Sequence, residues 1–328
     1  MVPKSNWMRA AWLPGAILLA LVIAVSLRLT EARRFAEMVQ QAEPFWLLLA
    51  VLLQLGTYVC TAAILALGLH HSRAPIRFRS LLPVGLVKLF IDQLIPTAGV
   101  GGTLIIVRIL ERRGVRTGIA TAVIVVSVLA FYGAYALAVV LTLGILWLHE
   151  DLSAAVLAPV TLFSVLAATV PVSLLWLTRG GHRVLPAWVK RLPGVRQGIE
   201  AVETAPPRTL HDRRLWLLCT ALQFAIFVLD VATLRAVLLA LGYVVEVSTV
   251  FAAFVLASVA ANLSLLPGGV GAFEAGSVAV LRLLGVPLEA SLAATLLLRG
   301  LTLWLPMLPG LWFARREMGR APLTGARR

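Results

Sequence analysis

From Thr117 to Leu148 the chain carries no Asp, Glu, Lys or Arg. A stretch that long and that apolar has few homes. A transmembrane helix needs about 20 predominantly apolar residues. In a bilayer only a structure that pairs all of its own backbone polar groups can cross. Comparable runs lie at 10–29, 45–69, 153–178, 215–241 and 290–313. Six full spans are therefore expected. Of the 328 residues, 60% are hydrophobic and 13% charged, against about 25% charged in soluble domains. The reading is an all-α integral membrane protein, a single polytopic domain over 1–328. Residues 16–25 resemble a signal-peptide core, with Lys4 and Arg9 ahead of them, but the run continues to Leu29 without a small-residue cleavage pattern and further spans follow. An uncleaved first helix is expected. The segment from Arg28 to Glu43 reads as an amphipathic surface helix.

Between the spans one short stretch breaks the pattern. Leu265-Leu266-Pro267-Gly268-Gly269-Val270-Gly271-Ala272-Phe273-Glu274 separates apolar runs at roughly 248–265 and 275–284. Pro267 donates no backbone hydrogen bond and disfavours helix at the residue before it. Gly268, Gly269 and Gly271 open backbone angles closed to other residues. One helix should end near Leu266 and another begin near Gly271. At membrane depth the freed backbone groups must face protein or a water-filled cavity. Glu274 then falls in the first turn of the second helix, where the helix dipole favours a carboxylate.

A weaker copy stands half the chain earlier. Leu94 to Gly102, with Pro96, Gly99, Gly101 and Gly102, reads against Leu265 to Ala272, with a slip in the loop. Ile109 to Val115 reads against Val280 to Val286. The flanking runs at 81–95 and 103–110 are too short to cross alone, which suggests a re-entrant hairpin. Corresponding Gly/Pro-interrupted segments in two halves point to a transport site. The halves are about 1–150 and 151–314, followed by a short basic tail, 315–328.

Charge sets the orientation. Lys and Arg total 29 and Asp and Glu 15, for a net charge of +14. With the amino terminus in the cytoplasm, 22 of the basic residues fall on cytoplasmic segments and only Arg28, Arg33, Arg34 and Arg282 fall outside. That bias fits the positive-inside rule with both termini cytoplasmic, in the inner membrane. It also makes the two halves, each span, span, hairpin, span, opposite in orientation: an inverted-topology repeat. Basic residues in loops between spans speak for membrane topology and against a nucleic-acid partner.

Ionisable groups at depth are the candidate site. Lys88 and Asp92 lie four apart on one helix face and can pair. Arg299, near the middle of the sixth span, needs an acidic partner or an anionic ligand, and Glu274 is the nearest candidate. Asp230 and Arg235 lie in the fifth span at a spacing poor for a direct pair. Gln93 and Asn262 flank the two breaks and could satisfy freed backbone groups. Lys88, Asp92, Glu274 and Arg299 form the expected substrate site, with structural ion pairs as the alternative role. Cys60 and Cys219 lie inside spans, and the five His lack metal-ligand spacing. No nucleotide fingerprint is present. No cofactor or metal is expected, and no enzyme activity. Most of the nine Trp sit near span ends, as an aromatic belt does.

Pro267 through Glu274, then Leu283-Leu284-Gly285-Val286, Arg299, and Trp304-Leu305-Pro306 through Gly310, together resemble the carboxy-terminal signature of the lysylphosphatidylglycerol synthase transmembrane region family. Its members include the flippase domain of the multiple peptide resistance factor. Pro96 through Gly102 with Arg112-Arg113-Gly114 resembles the family's amino-terminal motif. Thr103 stands where family members often carry an acidic residue, and Arg108 comes later than the family's Arg. No aminoacyl-transfer domain follows the sixth span in this sequence. The resemblance therefore implies movement of an anionic or glycosylated lipid head group between leaflets rather than lysyl transfer, with lipid-synthesis enzymes as possible partners. A secondary transporter for a soluble anion, a membrane-embedded lipid enzyme and a non-catalytic scaffold are the alternatives.

Overall fold

A computed structural model describes residues 40–94, 103–148, 207–210, 212–264 and 266–319. The expected first and fourth spans, the surface segment before Pro44, the first break with Pro96, Gly99, Gly101 and Gly102, and the end of the tail lie outside these residues. The described residues contain helices and no strand. Following the chain, they are α1 (Pro44–His71), α2 (Phe78–Leu94), α3 (Thr103–Arg112), α4 (Thr117–Leu148), α5 (Arg213–Ala240), α6 (Val247–Leu263), α7 (Ala272–Leu283), α8 (Leu288–Arg299) and α9 (Leu305–Gly319). A short helical turn, Pro207–Leu210, precedes α5, and a π-helical turn, Gly300–Trp304, joins α8 to α9.

Four stretches are long and apolar enough to cross a membrane: Pro44–His71, Thr117–Trp147, Arg213–Ala240 and Leu288–Phe313. The protein is a multi-pass membrane protein. At 28 residues, α1 is about 42 Å long at 1.5 Å per residue, more than the ~30 Å hydrocarbon core. One face of it carries Phe45, Leu48, Leu52, Leu55 and Val59, each about half exposed or more. That three-and-four spacing is a helical stripe. Exposed over such a length it suits lipid, since soluble monomers rarely show so large an apolar patch.

Helix ends follow local chemistry. Pro44 occupies the first turn of α1, where its missing N–H costs nothing. The Asp212 carboxylate caps α5, accepting from the N–H groups of Arg214 (2.7 Å) and Leu215 (3.0 Å). Four helices end in the same left-handed turn. After α3, Gly114 has φ 87° and the Val115 N–H donates to the Leu110 carbonyl at 3.1 Å. After α7, Gly285 has φ 92° and the Val286 N–H donates to the Leu281 carbonyl at 2.9 Å. After α5, Gly242 has φ 83° and Tyr243 bonds back to Leu238 at 2.9 Å. After α1 the same role falls to Arg73, φ 56°, with Ala74 bonding back to Leu69 at 2.9 Å. These are the six-to-one bonds of the Schellman motif.

α1 and α5 lie against each other along their length, and a Cβ added at Gly56 would come within 3.2 Å of Leu229. α2 packs on α9, while α6 packs on both α4 and α7. Gly310 on α9 permits the first of these contacts, because a Cβ there would sit 2.6 Å from the Phe90 Cβ on α2. The core runs through α4, 67% of whose apolar window is buried against 28% for α5. α4 is thus the interior post and α5 mostly faces outward. The expected spans agree with the described helices to within a few residues at most ends. The π-helical turn was not expected. It lies just ahead of Pro306 and Pro309, whose missing N–H groups loosen the ladder there.

Candidate functional site

The second break is described almost throughout. α6 ends at Leu263, Pro267–Gly269 form a single tight turn, and α7 starts at Ala272. Gly268 (φ 63°), Gly269 (φ 59°) and Gly271 (φ 87°) all take left-handed angles. Gly269 is doubly constrained, since a Cβ would stand 2.4 Å from the Ala261 Cβ.

Glu274 and Arg299 hold this break closed. One carboxylate oxygen of Glu274 accepts from the Gly271 N–H, satisfying a free donor at the start of α7. The other accepts from Arg299 Nε at 2.7 Å. The guanidinium also donates to the Gly268 carbonyl and lies 4.9 Å from the centre of the Phe273 ring, a cation–π distance. Glu274 is 2% exposed and Arg299 6%. Removing either partner from such a pair leaves a buried charge uncompensated. Just beyond it, Ser277 and Thr295 share a buried 2.8 Å hydrogen bond that ties α7 to α8. The single N-terminal position of Glu274 on α7 thus places it to cap, to pair and to lock.

The first broken pair is built differently. Lys88 and Asp92 form a 2.6 Å ion pair within α2, and Asp92 Oδ1 has no hydrogen-bond partner. Their side chains are 17% and 23% exposed. They face a cavity of about 310 Å³ lined by α1, α2, α4, α5, α6 and α8. α2 supplies Lys88 and Asp92 to it, α5 supplies Asp230 and Gln223, and α8 supplies Arg299. The turn at Gly268 and Gly269 forms part of the wall, which the aromatic rings of Phe131, Phe227, Phe254 and Phe273 complete. Three of the four expected site residues therefore meet in one place. Glu274 stands behind the wall, reached through Arg299.

Asn262 does not serve the break, as the sequence suggested. Its amide donates to the Ser258 carbonyl at 2.8 Å and to the Tyr135 hydroxyl at 3.2 Å. Gln93 lies beside the undescribed loop and its side chain is outside the description. Asp230 and Arg235 do not pair, as their spacing implied; Asp230 Oδ1 and Arg235 Nε each lack a hydrogen-bond partner. Sequence reasoning missed Tyr135 and Phe273. Tyr135 had a signal: it is a polar tip in mid-span, far from the interfaces where Tyr usually sits. Phe273 had none, being one apolar residue among many.

The family model for the lysylphosphatidylglycerol synthase TM region matches residues 12–310, a range that takes in both broken pairs and all the residues just described. The chain belongs to that family. A further relative is a UPF0104 membrane protein of Methanothermobacter thermautotrophicus, 23% identical over 312 residues, which are 89% of this chain and 92% of the relative. Membership covers nearly the whole chain, so the membrane fold and a lipid-related setting extend over both halves.

Proposed function

We propose that this member of the family moves a lipid with an anionic or glycosylated head group between the two leaflets of the inner membrane. The observation that carries this reading is the cavity: ionisable side chains from α2, α5 and α8 collected among apolar helices, next to a helix break. Charges at membrane depth are costly and mark substrate paths. A 310 Å³ space is at the small end of ligand pockets, suited to a head group with its acyl tails left in the bilayer. Lys88 and Arg299 offer charge-assisted donors, and Asp92 and Gln223 offer acceptors suited to hydroxyls. The reading needs no enzyme chemistry, and Lys88 and Arg299 act by binding alone.

The repeat supports the transport reading. α1, α2, α3 and α4 answer in order to α5, α6, α7 and the α8–α9 span. Both hairpins end in a matching Gly-Val turn, and each hairpin's first helix leans on the last span of the other half. In an inverted repeat such contacts let one half rock against the other about a fixed midplane site. Positive-inside counting puts both termini in the cytoplasm. A test is a lipid bearing a photo-reactive group on its head, incubated with the protein in liposomes and illuminated. Adducts are expected on cavity residues of α2, α4 and α6. Adducts confined to the span ends would refute a head-group site in the cavity.

A further inference from the structure

The charges around the cavity do not balance. Lys88 is paired with Asp92, and Arg299 with Glu274. Among the described residues lining the cavity, that leaves Asp230 as the one ionisable carboxyl or base without an ion-pair partner. It sits well inside α5, where an isolated carboxylate is far costlier than a neutral acid.

Its neighbours show the same deficit. Gln54 and Tyr58, one turn apart on α1, are 3% and 8% exposed. The Gln54 amide donates to the Thr57 hydroxyl at 3.1 Å, and Gln54 and Tyr58 neighbour the Asp230 carboxyl where α1 packs on α5. Asp230 Oδ1, Gln54 Oε1 and the Tyr58 hydroxyl are all shut off from solvent and all without a hydrogen-bond partner. Two of these three atoms only accept when Asp230 is ionised, and Tyr58 has one hydrogen to give. The cluster's donors are few: the Gln54 amide, which also serves Thr57 at 3.1 Å, and the one Tyr58 hydrogen, against three oxygens left over. Three oxygens fall well short of the six to eight that a hard metal ion such as calcium collects. One proton on Asp230 supplies a further donor and removes the charge together.

We propose that Asp230, with Gln54 and Tyr58, is an intramembrane proton site, and that its proton is the coupling ion for head-group movement. The proposal rests on the lipid-translocation reading for its second half only. An O–H bond forms on Asp230 when a proton arrives from water, and the proton returns to water when the head group leaves. With the proton bound, the two ion pairs, Glu274 behind the wall included, sum to zero around the cavity and an anionic head group is accepted. Without it the cavity is negative and expels one. The charged and titratable groups around the site are Tyr58 from α1, Lys88 and Asp92 from α2, Tyr135 from α4 and Arg299 from α8. α6 brings only Ser258 and Asn262. Arg235 follows five residues on, about 140° around α5.

Two measurements on the full chain in liposomes test this. Infrared difference spectra between acid and alkaline buffer should show a protonated-carboxyl C=O stretch that disappears in Asp230→Asn and shifts in midpoint in Gln54→Leu. An imposed pH gradient should speed exchange of a head-group-labelled anionic lipid severalfold in the wild type, and the ratio of rates with and without the gradient should fall to one in Asp230→Asn. A band unchanged in Asp230→Asn overturns the proton site. A rate that answers a sodium gradient and ignores pH overturns the coupling role. If the band is that of Asp230 and no lipid moves, the site stands and the translocation reading fails.

Discussion

The helix pairs α2–α3 and α6–α7 each flank a Gly/Pro stretch, yet the charges associated with them do opposite work. In the second pair Glu274 and Arg299 are almost fully buried and bind the break itself, through the Gly271 N–H and the Gly268 carbonyl. In the first pair Lys88 and Asp92 join each other along one helix and remain partly open to the cavity. Glu274–Arg299 is first a latch, which leaves the cavity side of Arg299 for a head group, and Lys88–Asp92 is a contact surface alone. Two similar sequence patterns thus carry different polar residues, and those residues set what each pair does.

The sharpest way to break this contrast is at Arg299. Arg299→Ala strands the Glu274 carboxylate in the interior, which should cost about 3–5 kcal/mol. A large fall in the thermal midpoint in detergent, with transport abolished, is the expected outcome. Stability within error of wild type would remove the latch from the account. Replacing both residues, Glu274→Leu with Arg299→Met, should recover much of the stability and none of the transport.

Gly269→Ala comes next. The added methyl would overlap Ala261 and the backbone angle is wrong for it, so about 1–3 kcal/mol of destabilisation is expected, read from the same unfolding curves. Lys88→Met should reverse the pattern. An open pair of this kind contributes within about 1 kcal/mol to stability. A lost charge-assisted contact to a head group is worth about 1.5–3 kcal/mol, a ten- to hundredfold slowing. Equal effects of Lys88→Met on folding and transport would erase the distinction between the two pairs.

The smallest effect lies at the membrane surface. Hydrogen bonds from the Leu215 and Arg214 backbone, with His71 3.1 Å away, hold the Asp212 carboxyl below its ordinary value. A lowered value in the folded state stabilises above the unfolded value, near 4, and the benefit is lost as pH falls through the folded one. Asp212→Asn keeps a cap without the charge. Its deficit in thermal midpoint relative to wild type should be visible near neutral pH and close at acid pH.

Much of this was legible beforehand. Pro267 and the three glycines mark the second break because no other residues fit those backbone angles, and the structure ends and restarts helices where they require. Arg299 and Glu274 could be paired on paper because a charge in mid-span demands a partner. The division of labour was not legible: Lys88–Asp92 and Glu274–Arg299 both read as pairs of opposite charge at membrane depth, and only packing decides which one binds the break. The place of Asp230 opposite Gln54 and Tyr58 depends on how α1 and α5 meet, which no local pattern encodes.

The most direct test is leaflet exposure. Liposomes would hold the purified protein and lipids labelled on anionic, glycosylated or neutral head groups, with quenching followed from outside. The account predicts that inner-leaflet anionic or glycosylated lipid becomes quenchable with the wild type, slowly with Lys88→Met and not at all with Arg299→Ala. Folded wild-type protein that leaves every labelled lipid as protected as in empty liposomes would contradict it.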